Sequence, residues 1–216
     1  MSNQCTHKKG RVYAGETADE RLEKQRQQFL KAGLKLFGSK GYQSTSVRAL
    51  CREAGLTDRY FYKNFKDKEA LLSAVYSRAF EHIEARILDA VAPKLAERDH
   101  RGLIQAGLDA FFQGIEDPQI TKVCWQEILG VSPSIDQLYT QKTLAFAELL
   151  LSYAAMMEPT IDLLKEERQA VGMALVGSVN QSALHWYLSN YQLPRATLVD
   201  VNARILFAAL SEYSAD

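Results

Sequence analysis

Positions 57–63, Thr-Asp-Arg-Tyr-Phe-Tyr-Lys, combine hydroxyl, cationic and aromatic side chains in a way that suits a nucleic acid better than any reaction, although Asp58 is awkward beside one. Thr57, Arg59, Tyr60 and Lys63 form the exposed set predicted for one short helix. A guanidinium can bond O6 and N7 of guanine together, so Arg59 is the candidate base reader, with a phosphate contact as its alternative. Tyr60 can stack on a thymine methyl or bond a phosphate. Thr45 and Ser46 open the preceding helix, where free N–H groups and the helix dipole favour an anion. Lys68, at the start of the following helix, is placed to clamp a flanking phosphate. Phosphate contacts set register and give salt-dependent affinity; base contacts give sequence.

Chemistry of other kinds is not encoded. His-Glu-x-x-His, a phosphate-binding loop and Gly-x-Ser-x-Gly are all missing, and His7, His82, His100 and His185 are scattered. Cys5, Cys51 and Cys124 are too few for a disulfide framework or a zinc finger. Cys51 is predicted to pack in a core, as is Cys124, whose alternative is a thiol sensor. No cofactor and no metal is expected.

The elements that must position these side chains read as helices throughout, an all-α chain. Thr17 and Glu20 fit a capping box for a first helix that buries Phe29, Gly33, Leu36 and Phe37. Gly38-Ser-Lys-Gly41 ends it, with Gly41 suited to a left-handed cap. Thr45 or Ser46 caps a second helix, with Val47, Leu50, Cys51 and Ala54 inward. Gly55 makes a turn, and Thr57 caps a third helix running to about Asn64, with Phe61 and Phe65 beneath it. Two short helices at a steep angle, the second basic and aromatic, are the geometry that enters a major groove. Asp67 caps a longer helix from Lys68 towards Ala92, closed by Pro93. Further helices are predicted at about 99–115, 119–129, 134–157, 164–189 and 195–213, with breaks at Asp117-Pro118, Ser132-Pro133, Glu158-Pro159 and Leu193-Pro194.

The charge is divided. Formal net charge is zero, yet residues 1–66 hold 14 Lys/Arg against 6 Asp/Glu, and the remainder holds 12 against 20. A basic head on an acidic body is the footprint of a phosphate-binding module joined to something else. Residues 1–16, with Lys8, Lys9 and Arg11, are predicted as a disordered basic arm, either reaching a minor groove or simply solvated. Residues 17–67 form the expected DNA-binding domain, and 68–216 a helical body. With no signal peptide and no apolar run long enough to span a bilayer, a cytoplasmic protein without membrane association is expected.

In the body, Ala170, Ala174, Gly177, Ser178 and Ser182 would let a second helix approach closely. The last helix offers Leu198, Val201, Ile205, Leu206, Ala209 and Leu210. Paired across a two-fold axis, these would build an isologous four-helix interface, for which Ala174, Gly177, Ser178, Leu206 and Leu210 are the named candidates. Aromatic residues that could line an apolar pocket include Phe111, Phe112, Trp125, Tyr139, Phe146, Tyr153, His185, Trp186 and Tyr187. Plain core is their alternative role.

The order and spacing of the N-terminal residues resemble the TetR family of bacterial transcription regulators. The resemblance rests on Phe29-Leu30, Ala32-Gly33, Leu36-Phe37, Gly41-Tyr42, Thr45, Val47, Leu50-Cys51, Ala54-Gly55-Leu56-Thr57, Phe61-Tyr62, Phe65 and Lys68-Glu69-Ala70-Leu71. It departs at Gly33 and Cys51, where Ala is usual, and at Asp58-Arg59-Tyr60-Phe61 in the recognition helix. It implies a three-helix DNA-binding domain with a helix-turn-helix, phosphate contacts from Tyr62 and Lys63, and a larger domain for dimerisation and ligand binding. The expected function is a homodimeric repressor, bound to a palindromic double-stranded operator and released by a small apolar effector held near Phe111, Phe112, Trp125, Tyr139, His185 and Trp186. The alternative is a DNA-bound protein controlled by a protein partner.

Overall fold

The computed structural model describes residues 17–157 and 163–213. Among these the regular elements are nine helices: α1 (Ala18–Lys40), α2 (Val47–Ala54), α3 (Asp58–Asn64), α4 (Lys68–Glu97), α5 (His100–Gly114), α6 (Pro118–Lys122), α7 (Pro133–Met157), α8 (Lys165–Leu188) and α9 (Arg195–Glu212). A π-turn at Val123–Glu127 continues directly from α6. The predicted basic arm and the predicted break at Glu158-Pro159 lie outside the described residues.

Local signals explain the first elements. The Thr17 hydroxyl accepts from Glu20 N–H at 3.2 Å, and the Glu20 carboxylate accepts from Thr17 N–H at 2.6 Å, a complete capping box. Gly55 takes the left-handed conformation, φ 67° and ψ 29°, which turns the chain from α2 into α3 without a side-chain penalty. A Cβ on Gly33 would stand 2.8 Å from Val75 Cγ2, so the missing methyl lets α4 lie close against α1.

Two apolar cores divide the molecule. The first gathers Phe29, Phe37, Leu50, Phe61, Phe65, Leu71 and Tyr76 from α1–α4, and also takes Val123, Cys124, Ile128 and Ile135 from further along the chain. Phe29 meets Phe61 and Phe65 edge-on, with ring centres 5.3 and 6.2 Å apart. The second core joins Ile83, Ile87 and Val91 of α4 to α5, α7, α8 and α9. One helix, α4, therefore runs through both cores; at 1.5 Å per residue its 30 residues span about 45 Å.

Two expectations need correction. Pro93 does not close α4, which continues to Glu97 and ends at Arg98 with φ 55° and ψ 34°. The proline removes one backbone donor on an exposed face, while Val91 stays buried against the second core, and packing carries the helix past it. Gly41 has a positive φ of 89° but ψ of 157°, so it ends α1 in an extended left-handed conformation that only glycine adopts readily, not a left-handed helical cap.

Candidate DNA interface and body cavity

The recognition helix α3 is anchored by one buried face. Phe61 is fully buried and Phe65 nearly so, while Thr57, Arg59, Tyr60, Tyr62 and Lys63 are all exposed. Thr57 stands at the N-cap position without making a side-chain cap bond. The cap of α2 is Ser46, whose hydroxyl accepts from Ala49 N–H at 3.2 Å.

Thr45 does not share that role. Its side chain is 2% exposed, and its hydroxyl donates to the Gly41 carbonyl at 2.7 Å. It fixes the turn from inside and is turned away from any phosphate. Lys68 is also engaged within the chain. Its ammonium donates to the Tyr42 carbonyl at 2.8 Å and lies 4.0 Å from the Tyr42 ring centre, and burial holds its pKa below the usual lysine range.

Asp58, which looks misplaced next to DNA, has an inward partner. Burial, then a hydrogen bond to Asp58, push the Cys51 thiol up to about 11. Cys124 is buried outright, which pushes its thiol up to about 12, as expected of a packed cysteine.

The body grips the DNA-binding helices from behind, through residues that carry no sequence motif. A Cβ on Gly38 would lie 2.6 Å from Gln119 Cα, so the end of α1 and the start of α6 touch backbone to backbone. Lys122 Nζ donates to the Ser39 carbonyl at 3.1 Å. Glu127 Oε2 accepts from Tyr42 N–H at 2.7 Å, and Lys122 stands 3.8 Å from the same carboxylate.

A cavity of about 180 Å³ opens in the second core. Its walls come from α4 (Ile87, Val91), α5 (Leu103, Ile104, Phe111), α7 (Phe146, Tyr153), α8 (Val176, Val179) and α9 (Leu206, Leu210). Its few polar groups are His100, Tyr153, Asn180 and Ser211. Of the six predicted ligand residues, only Phe111 lines it. Phe112 is fully buried against Trp186, ring centres 5.7 Å apart. Trp186 is held there by its indole N–H, which donates to the Leu193 carbonyl at 2.8 Å. Trp125 backs the cavity wall, edge-on to Phe111 at 5.9 Å. Tyr139 packs beside Tyr76, ring centres 6.4 Å apart, against the first core. His185 is exposed on the outer side of α8.

The predicted interface residues also divide. Leu206 and Leu210 are buried and form cavity wall, so they do not face a second molecule. Ala174 and Gly177 are exposed and Ser178 is half-buried. A Cβ on Gly177 would meet open space. Met173 and Leu188 on α8 and Val201 and Ile205 on α9 are also each about half exposed, so both helices carry uncovered apolar and small residues.

Among known proteins, the family model described as bacterial regulatory proteins, tetR family, matches residues 29–75. That stretch holds α2 and α3 with the helices that clamp them. The N-terminal domain belongs to the TetR family. Among curated proteins, the HTH-type transcriptional regulator YuxN of Bacillus subtilis is 38% identical over 60 residues, which is 28% of this chain and 21% of that protein. YerO of Bacillus subtilis is 22% identical over 144 residues, 63% of this chain and 50% of that protein, and UidR of Escherichia coli is 22% identical over 123 residues, 52% and 63% respectively. The chain thus spans about half the length of YerO and about a fifth of YuxN. The TetR-like fold extends through the body. A putative TetR-family regulator from Mesorhizobium loti superposes with a TM-score of 0.71 at 19% identity, over 90% of this chain and 99% of that one. The regulator FadR from Bacillus subtilis, solved in complex with stearoyl-CoA, gives 0.71 at 14% identity, over 85% and 98%.

Proposed function

We propose that this chain is a dimeric transcription regulator: a repressor that binds a palindromic operator and leaves it when a small, largely apolar molecule fills the body cavity. Residues 17–67 serve as the DNA-binding unit and 68–216 as the ligand and dimer unit, working in the cytoplasm without catalysis. Ser46, Thr57, Arg59, Tyr60, Tyr62 and Lys63 face DNA, with Lys68 shaping the surface from beneath. The uncovered residues of α8 and α9, Ala174, Gly177 and Ser178 among them, meet their copies across a two-fold axis.

The observation that carries this reading is α4. Its first residue braces the loop before α2, and its later residues Ile87 and Val91 line the cavity. A ligand that shifts α4 changes the separation of two recognition helices, which a fixed half-site spacing does not tolerate. The volume suits a molecule of roughly monocyclic size, since a dry cavity of about 150 Å³ holds benzene. A concave apolar site with walls from five helices favours a small ligand over a protein partner. FadR of Bacillus subtilis, with stearoyl-CoA bound, supports the idea that a body of this shape can take an apolar effector.

Reciprocity supplies the test. Operator DNA must weaken ligand binding by the factor by which ligand weakens DNA binding. Candidate ligands are titrated against tryptophan emission with and without duplex. A ligand bound with the same affinity in both cases refutes the repressor switch.

A further inference from the structure

The π-turn Val123–Glu127 stands between the cavity and the DNA-binding helices, and its side chains reach both. Trp125 and Glu127 are two residues apart, so they leave the turn on nearly opposite sides. Trp125 rests edge-on against Phe111, and Phe111 lines the cavity. Glu127 holds the Tyr42 N–H at 2.7 Å. Both carboxylate oxygens would stand 3.1 Å from a Cβ on Gly41, so the loop passes the carboxylate at contact distance. A π-turn is uncommon and is often retained where a side chain must be aimed for function.

Tyr42 is a consequential place to hold. Its carbonyl takes the Lys68 ammonium from the start of α4. Its ring lies against Phe37, centres 5.5 Å apart. Three residues later Thr45 ties back to Gly41, and Ser46 then caps α2. The position of Tyr42 therefore sets where α2 begins, and α2 carries α3 through the Gly55 turn. The body holds this residue by its amide, and α4 holds it by its carbonyl.

We propose that Glu127 is the residue through which the body positions the helix-turn-helix, and that its π-turn, with Trp125 on the cavity side, carries cavity occupancy to the DNA-binding helices. Glu127 acts through Tyr42 and is a positioning residue; it faces the interior, away from the surface α3 presents to DNA. The second half of the proposal rests on the reading that cavity occupancy controls DNA binding. This route, from Phe111 to Tyr42, runs beside the one through α4 and meets it at Tyr42, whose carbonyl Lys68 holds.

The experiment uses the full chain, a duplex recovered by in vitro selection, and 4-methylphenol as a probe that matches the apolar walls and their few polar groups. Glu127→Ala is expected to weaken duplex binding about tenfold, the loss of one hydrogen bond to a charged group. Glu127→Gln keeps an oxygen for the Tyr42 N–H and is expected to restore most of that affinity. Hydrogen exchange at the Tyr42 amide should speed up in the alanine variant and stay slow in the glutamine variant. This readout holds even where melting temperature drops. In the unmutated protein the probe is expected to weaken duplex binding by about fivefold or more, and in Glu127→Ala by a smaller factor, the remainder passing through α4.

Equal duplex affinity in Glu127→Ala and the parent overturns the positioning role, as does a glutamine variant no better than alanine. Equal probe effects in parent and Glu127→Ala overturn the route. Calorimetry that shows probe uptake by the parent with no change in duplex affinity overturns ligand control itself, and the alanine–glutamine comparison then judges the positioning role alone.

Discussion

The Lys68 ammonium donates to the Tyr42 carbonyl at 2.8 Å and lies 4.0 Å from the centre of that residue's ring. A lysine at the head of α4 is thereby spent on the loop that precedes α2. Lys63, on the open face of α3, has no such engagement and is exposed. The two lysines should separate in experiment. Lys63→Ala should weaken all duplex sequences alike and lower the salt slope by about one unit. Lys68→Ala should change the slope less and instead lower the urea midpoint, by about 1–2 kcal/mol of stability. Salt-dependent titrations and urea melts of both variants check this.

Arg59 is the base reader in this account. Arg59→Ala should cost about 1–3 kcal/mol on the preferred duplex and relax preference at one position in each half-site. Titration against a panel of single-base operator variants reads the effect. Equal losses on every variant would make Arg59 a phosphate contact.

Burial gives the two packed cysteines a signature in pH. Their folded thiols are raised to about 11 and about 12 against 9.0 for an ordinary thiol. Below the ordinary value both states are protonated and pH has no effect through these groups. Above it the unfolded chain loses its protons first, so stability falls as pH rises from about 9 towards the folded values. Between about pH 8 and pH 10 the urea midpoint of the parent should fall more steeply than that of a Cys51→Ala, Cys124→Ala double variant. Parallel curves would mean the thiols are not buried as described.

The outer face of α8 carries the dimer prediction. Gly177→Glu places a charge where a Cβ meets open space in the single chain. Folding should be unchanged, within about 0.5 kcal/mol. The sedimentation coefficient should drop to that of a monomer, and duplex affinity should drop with it. A Gly177→Glu protein that still sediments as a dimer moves the interface elsewhere.

The DNA-binding half was legible in the sequence because its signals are local. Thr17 and Glu20 cap by spacing alone, Gly55 marks a left-handed turn, and Phe61 and Phe65 lie one turn apart on one short helix. Thr45 shows the limit. A hydroxyl beside a helix start reads as a cap or an anion ligand, and only the path of the Gly41 turn decides that it points inward. In the body, α9 offers two apolar faces, Leu206 and Leu210 on one and Val201 and Ile205 on the other. Periodicity finds both and cannot tell which meets its own core. His185 and Trp186 are neighbours in sequence, yet one is exposed and the other 4% exposed. Glu127 has no sequence signal, because its partner Tyr42 lies 85 residues away. Pro93 misled for the same reason: packing of α4 against the second core outweighs one missing donor.

The proposed function requires two copies of α3 to read a two-fold symmetric DNA sequence. Selection of the full chain against a randomised duplex pool, followed by sedimentation of the protein with the recovered duplex, tests it most directly. The expected outcome is an inverted repeat whose half-sites are centred about one helical turn or a multiple apart, with two chains bound per repeat. Recovery of no symmetric sequence, or a single chain bound per site, would contradict it.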